Sequence, residues 1–253
     1  MKTALITGAT SGIGEQFARR YAKMGYRLIL VGRRQGRLCR LKDELAVPCR
    51  IMVYDLSLED SCKELLDQVK EINIDVFINN AGFGTCGSFL ETDLDKEISM
   101  IRVNDIAMHI LFKGILKQMQ QRDVGTILNV ASSAGLMPGG PYMATYYATK
   151  AYMVSLTRAV AEELRQADSS VNVFALCPGP VDTEFNGNAD VAFALPGISA
   201  RKCVKDAMRG MKRGKTIIVP SLYMKVAMFA QNFLPKGLMV RIAATQQKKK
   251  IYR

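Results

Sequence analysis

The chain has 253 residues, 49% hydrophobic and 23% charged, an ordinary soluble globular composition with length for one large α/β domain or two small ones. Six cysteines, at positions 39, 49, 62, 86, 177 and 203, form no CxxC pair, and His109 is the single histidine. That pattern argues against a disulfide framework and against the usual zinc site, so the expectation is free thiols in a reducing cytoplasm and no metal. The net charge of +12 is concentrated at one end: Arg201 to Arg253 holds 14 Lys/Arg against one acid, Asp206, while the first 200 residues hold 21 basic and 22 acidic side chains.

Met1 and Lys2 lead into an apolar run too short for a secretory signal. Thr3 to Thr7 reads as a buried strand, Gly8 to Gly14 as a glycine-rich turn (Gly8, Thr10, Ser11, Gly12, Ile13, Gly14), and Glu15 to Met24 as a helix. Strand, glycine turn and helix open a dinucleotide-binding unit, because the glycines let backbone N–H groups approach a pyrophosphate at a helix N-terminus. Arg27 to Val31 is predicted as the second strand, ending in Gly32, Arg33 and Arg34. An acid there would hold the ribose 2′-hydroxyl of NAD, whereas the planar fork of Arg33 suits the 2′-phosphate of NADP. Arg34, Arg37 and Arg40 are read as solvated surface.

Arg50 to Tyr54 is the third strand, followed by Asp55 and Leu56. A helix from Leu58 to Glu71 leads to a strand from Asp75 to Ile78, which ends in Asn79, Asn80, Ala81 and Gly82. A long helix from Asp93 to Arg122 carries Asn104, and a strand from Gly125 to Val130 runs into Ser132 and Ser133. The stretch from Tyr142 to Val173 has no Pro or Gly and reads as one long helix; a sixth strand, Val171 to Leu176, precedes Pro178 to Thr183. Glu184 to Ser199, with Gly, Asn, Pro and apolar residues, suits a flap over a substrate. Lys202 to Arg213 is a helix and Thr216 to Val219 a seventh strand. Alternating strands and helices imply a doubly wound parallel sheet, a Rossmann fold, with ligands at the strands' C-terminal ends. The expected organisation is a single cofactor-binding and catalytic domain over residues 1–220, followed by an extension over 221–253.

Within the long helix, Tyr146 and Lys150 are four apart and share a face. A phenol has a reference pKa of ~10. A neighbouring ammonium is expected to lower it, so that the pair can exchange a proton with a carbonyl or alcohol oxygen.

Taken together, these residues resemble the short-chain dehydrogenase/reductase family, in its single-domain branch of about this length. The resemblance rests on Thr7, Gly8, Gly12 and Gly14; Asp55; Asn79 to Gly82; Asn104; Ser132; Tyr146 and Lys150; and Pro178, Gly179, Val181 and Thr183. It implies that Tyr146 is the general acid/base, Lys150 its partner and a ligand of the nicotinamide ribose, Ser132 a donor to the reacting oxygen, and Asn104 the holder of a water linking Lys150 to solvent. It further implies a cofactor site lined by Gly8, Thr10, Ser11, Gly12, Ile13, Gly14, Arg33, Asp55, Leu56, Asn80, Ala81, Gly82, Tyr146, Lys150, Pro178, Gly179, Val181 and Thr183. Two departures stand out. Ser132 lies 14 residues before Tyr146, one more than is common, which leaves Ser133 as a competitor. Ser11 occupies a place where many NADP-preferring relatives carry a basic residue.

The resulting expectation is an NADP(H)-dependent oxidoreductase, with NAD(H) less favoured, that interconverts a carbonyl and a secondary alcohol on an apolar substrate such as a steroid or hydrophobic ketone. The alternatives are a 3-oxoacyl-thioester reductase and a cofactor-sensing binding protein without turnover. Ser221 to Thr245, apolar with interspersed Lys225, Lys236 and Arg241, predicts two short amphipathic helices that pack on the domain, form a homodimer or homotetramer contact, or lie on an anionic membrane surface. No nucleic-acid recognition motif accompanies the charge.

Overall fold

The structure, a computed structural model, describes residues 1–184 and 197–251. Seven strands, β1 (Thr3–Thr7), β2 (Arg27–Gly32), β3 (Cys49–Val53), β4 (Val76–Asn79), β5 (Thr126–Val130), β6 (Asn172–Leu176) and β9 (Ile217–Ile218), form one parallel sheet in the order β3-β2-β1-β4-β5-β6-β9. The chain winds outward from β1 to β3, then returns to start the other half at β4, so the order reverses between β1 and β4. Such a switch point leaves a crevice at the C-terminal ends of the strands.

The central strands alternate their apolar side chains between two helical layers, as a pleat of period two requires. Leu5, Phe77 and Ile127 face α3 (Glu59–Val69), α5 (Met108–Gln121) and α6 (Ala144–Gln166). Ala4, Ile6, Ile78 and Leu128 face α1 (Gly12–Ala22), α2 (Gln35–Glu44) and α7 (Ala200–Lys212). Both layers are closed by fully buried side chains such as Phe17, Leu38, Leu65 and Leu111.

The expected helix from Asp93 is a composite. Asp93 caps the first segment, α4 (Leu94–Ile101), by accepting from the Lys96 N–H at 2.7 Å. A π-helical stretch, Arg102–Ala107, links it to α5 and contains Asn104. Wider turns of this kind are rare and concentrate at functional sites. At the junction the Met108 carbonyl accepts from Asn79 Nδ2, which also donates to Asn129 Oδ1; Asn129 in turn donates to Thr157 of α6. This buried polar chain locks the π segment, β4, β5 and α6 in one register.

The residues after β6 form β7 (Val181–Asp182), paired in parallel with β8 (Ile198–Ser199). The predicted flap runs between these two strands, and its residues 185–196 lie outside the described residues. The extension contributes α8 (Leu222–Ala230), a short 3-10 turn (Gln231–Phe233) and α9 (Lys236–Ile251). The expected amphipathic character is not what α8 has: it buries no residue fully, and apolar side chains occupy both its sides. No helix among the described residues is long and apolar enough to cross a membrane.

Candidate active site

The crevice beyond β1 and β4 is a cavity of about 890 Å³. Gly8 (φ 63°) and Gly12 (φ 55°) take the left-handed backbone that the turn from β1 into α1 demands. A Cβ at Gly14 would overlap the Gly8 carbonyl and the Asn80 amide. The turn is therefore an open cradle ending at the first N–H groups of α1, shaped for a pyrophosphate, and the residues present fit a dinucleotide cofactor. Asn80 maintains the cradle: its Nδ2 donates to the carbonyls of Thr7 (3.0 Å) and Gly8 (3.1 Å), while Thr7 Oγ1 accepts from the N–H groups of Asn80 and Ala81.

At the cradle's outer end, Arg33 is 67% exposed, with Nη1 3.9 Å from Asp55 Oδ2. Partial burial pushes the Asp55 carboxyl up, but the Ser57 N–H and hydroxyl and the Arg33 charge prevail and hold it below the usual range. Arg34 and Arg37 are not merely solvated, contrary to expectation. Arg34 Nη2 donates to Thr10 Oγ1 (3.0 Å) and Ser11 Oγ (3.2 Å), and its Nη1 pairs with Glu184 Oε2 at 3.0 Å. Arg37 holds the same carboxylate at 2.6 Å. The cause is tertiary: Glu184, at the end of the β7 segment, comes over the glycine turn from 150 residues away, a proximity that local sequence does not encode. Arg34 thus brings a guanidinium to the Ser11 position, where the sequence itself has no cation.

The chemistry-bearing side chains meet where β5 and β6 end. Ser132 caps the short turn Ser133–Leu136 by accepting from the Ala134 N–H, approaches the Pro178 carbonyl at 3.5 Å, and hydrogen-bonds the Tyr146 phenol. Of the two serines the sequence left in competition, Ser132 is the one whose hydroxyl meets the phenol, while the Ser133 N–H donates to the Pro178 carbonyl. Lys150 is 3% exposed; its Nζ donates to the Val130 carbonyl at 3.1 Å and lies 5.9 Å from the centre of the Tyr146 ring.

The surroundings of Tyr146 act against the expected lowering of its pKa. Burial pushes the phenol up to about 12 against the Ser132 hydrogen bond, which lowers it. Burial also pulls the Lys150 ammonium down to about 8, with Asp105 opposing. For both groups desolvation is the largest influence.

Asn104 is fully buried behind this group. Its Nδ2 donates to Phe83 O (2.9 Å) and Thr149 Oγ1 (3.1 Å), and its Oδ1 accepts from Phe83 N (3.1 Å). The side chain therefore fastens the Gly82 turn to the start of α6. Every sequence-predicted site residue lines the cavity except Gly14 and Asn104, which support its wall. His109 has no place in it; its Nδ1 contacts Tyr152 Oη at 2.6 Å on the helix surface.

The wall opposite the cradle escaped the sequence reading. Met224, Ala227 and Met228 of α8 and Met239, Ile242 and Ala243 of α9 line it, together with Met143 and Tyr147 of the core. Gln247 Nε2 donates to Tyr147 Oη at 2.6 Å and Gln231 Nε2 to Leu136 O at 2.8 Å, which pins the extension to the domain. The apolar run in 221–245 was visible; its destination depends on pairs about 100 residues apart.

Residues 2–192 match the short chain dehydrogenase family. The fold is similar to a short-chain dehydrogenase from Sphingobium yanoikuyae in complex with NADPH (31% identity, 94% of this chain and 95% of that one, TM-score 0.83). It is also similar to the bulky-bulky ketone specific alcohol dehydrogenase from Comamonas testosteroni (28%, 94% of each chain, TM-score 0.78). A short-chain dehydrogenase/reductase from Burkholderia phymatum in complex with NAD is a further neighbour (25%, 92% and 93%, TM-score 0.83). The match runs from the glycine turn past the last residues of the cavity floor, and the chain belongs to the short-chain dehydrogenase/reductase family: it is an NAD(P)-dependent oxidoreductase that interconverts carbonyl and CH–OH groups.

Proposed function

We propose that the protein uses NADP(H) in preference to NAD(H) and interconverts an apolar ketone and its secondary alcohol, with Tyr146 as the proton-transferring residue. The observation that carries this reading is a buried phenol hydrogen-bonded to Ser132, in a cavity that methionine and aliphatic side chains also line. When bound, the nicotinamide supplies or accepts the hydride. The rest is work for this chain. Ser132 orients the carbonyl oxygen beside the phenol, and Tyr146 Oη gives that oxygen a proton during reduction and regains it in the reverse direction. Lys150, beside the Tyr146 ring, stabilises the phenolate left by that transfer and would hold the ribose of a bound nicotinamide. Asn104 keeps the Gly82 turn and α6 at the spacing this needs. The apolar wall favours a ketone with bulk on either side of the carbonyl, consistent with the substrate named for the Comamonas relative.

Cofactor choice turns on Gly32, Arg33 and Arg34. A 2′-phosphate carries close to two negative charges near neutrality. Gly32 places no carboxylate against it, and the two guanidinium groups flank the site. A charge-assisted contact of this kind contributes roughly 1.5–3 kcal/mol, about one to two orders of magnitude in affinity.

The test is a panel of hydrophobic ketones and secondary alcohols with both cofactors, followed by absorbance of the reduced nicotinamide. NADPH is expected to be preferred. Arg33→Ala should remove most of the preference, and Arg34→Ala should weaken it further. Gly32→Asp should shift it toward NADH; the new Cβ would lie 3.0 Å from Thr10 Cγ2, a contact that a small shift relieves. A wild type that prefers NADH contradicts the arginine assignment.

A further inference from the structure

Helix α8 has two apolar stripes, and the proposed reaction uses one. At helical spacing, Met224, Ala227 and Met228 point into the cavity. On the opposite side Leu222 (76% exposed), Val226, Phe229 (67%) and, one turn beyond, Phe233 (74%) form a continuous exposed row with Tyr223 and Lys225 at its flanks. A helix that is apolar all round has a second apolar environment as well as the core, and an exposed patch of this kind marks an interaction surface.

The charge says what that environment is. Residues 221–253 contain seven Lys/Arg and no acid. At the foot of α8 a hollow of about 370 Å³ is walled by Lys202, Arg209, Arg213, Lys215 and Lys225. Asp206 pairs with Lys202 (2.8 Å) and Arg209 (3.2 Å), while Arg213, Lys215 and Lys225 have no acidic partner among the described residues. Two copies of the chain meeting through this face would oppose like charges. An acidic protein would answer the cations and leave the phenylalanines unexplained. A bilayer with anionic phosphates answers both at once: apolar side chains enter the acyl boundary while phosphates lie against the cations.

We infer that α8, the turn after it and the neighbouring part of α9 dock the protein on an anionic lipid surface, with lipid phosphates at the basic hollow. The same helix then separates lipid from catalytic cavity by its own thickness, so apolar ketones are gained from the bilayer side. The docking does not depend on the reaction proposed above, because vesicle binding is read without turnover.

The experiment is flotation of the full chain with phosphatidylcholine vesicles, with and without phosphatidylglycerol. The wild type should bind the phosphatidylglycerol vesicles at least about tenfold more tightly, a factor that roughly two cations near the surface provide. Phe229→Ser/Phe233→Ser and, separately, Lys225→Glu should each lower that binding by about tenfold or more. Unchanged cofactor affinity in both variants shows that they fold. Absence of binding to phosphatidylglycerol vesicles overturns the inference. Binding that Lys225→Glu removes but Phe229→Ser/Phe233→Ser leaves intact also overturns it, in favour of an acidic protein as partner. Self-association that the double variant abolishes, without vesicle binding, assigns the face to a second copy instead.

Discussion

Ser132, Tyr146 and Lys150 are ordinary side chains made unusual by burial. The phenol at about 12 and the ammonium at about 8 are each displaced toward their neutral forms. For Lys150 the consequence for stability can be signed. Its folded pKa lies below the unfolded value of ~10.4, so the folded state binds fewer protons between those limits. The cost of burying the charge is full below pH 8 and is relieved as pH rises toward 10. Lys150→Met removes that cost. Its stability relative to the wild type should therefore be highest near pH 7 and decline by on the order of 2 kcal/mol by pH 10, read by chemical denaturation at both pH values. The Asp105 carboxyl, which burial pushes up to about 7 while Lys150 draws it down, titrates at the lower edge of this window. A difference independent of pH would mean that Lys150 is not charged and desolvated at neutrality. The serines give a second test at this scale. Ser132→Ala should reduce kcat by about two orders of magnitude or more, whereas Ser133→Ala should have a small effect. The reverse order of losses moves the hydroxyl role by one residue.

At the scale of elements, the strands and the glycine turn were legible in the sequence because their causes are local. The apolar run Thr3–Thr7 followed by Gly8, Gly12 and Gly14 specifies a strand, a left-handed turn and a helix start without reference to the rest of the chain. The π segment at Asn104 was not legible. It depends on Asn79 accepting responsibility for the Met108 carbonyl from another strand, and no periodicity announces it. Arg34 was misread for the same reason, since Glu184 and Ser11 reach it through tertiary folding. The Tyr146 and Lys150 pair was found by spacing, but spacing carries no information about desolvation, and the direction of the phenol's shift was reversed by it. The cradle offers a direct test of the close approach at the turn. Gly14→Ala would drive a methyl into the Gly8 carbonyl and the Asn80 amide. Cofactor affinity should fall by about tenfold or more, with a loss of stability of roughly 1–3 kcal/mol from overpacking. Native affinity in that variant, measured by fluorescence of the bound reduced nicotinamide, would show that the turn does not cradle the cofactor.

Across the whole molecule, charge and apolar surface are divided between two ends of one chain. The first 200 residues are near neutral and build six of the sheet's seven strands, while the basic extension closes the cavity with its inner face. Gln247 and Gln231 hold that wall to Tyr147 and Leu136, so pocket shape and extension are one structural unit. In the proposed reading this wall sets substrate size and Tyr146 beneath it transfers the proton. The most direct measurement compares wild type and Tyr146→Phe with NADPH and the best ketone found in the panel, following both the rate of nicotinamide oxidation and NADPH affinity. Tyr146→Phe is expected to lose about three orders of magnitude or more in rate, the scale at which positioned acid catalysis operates, while NADPH affinity stays within about threefold. A Tyr146→Phe enzyme that turns over within about tenfold of wild type would contradict the proton-transferring role of Tyr146.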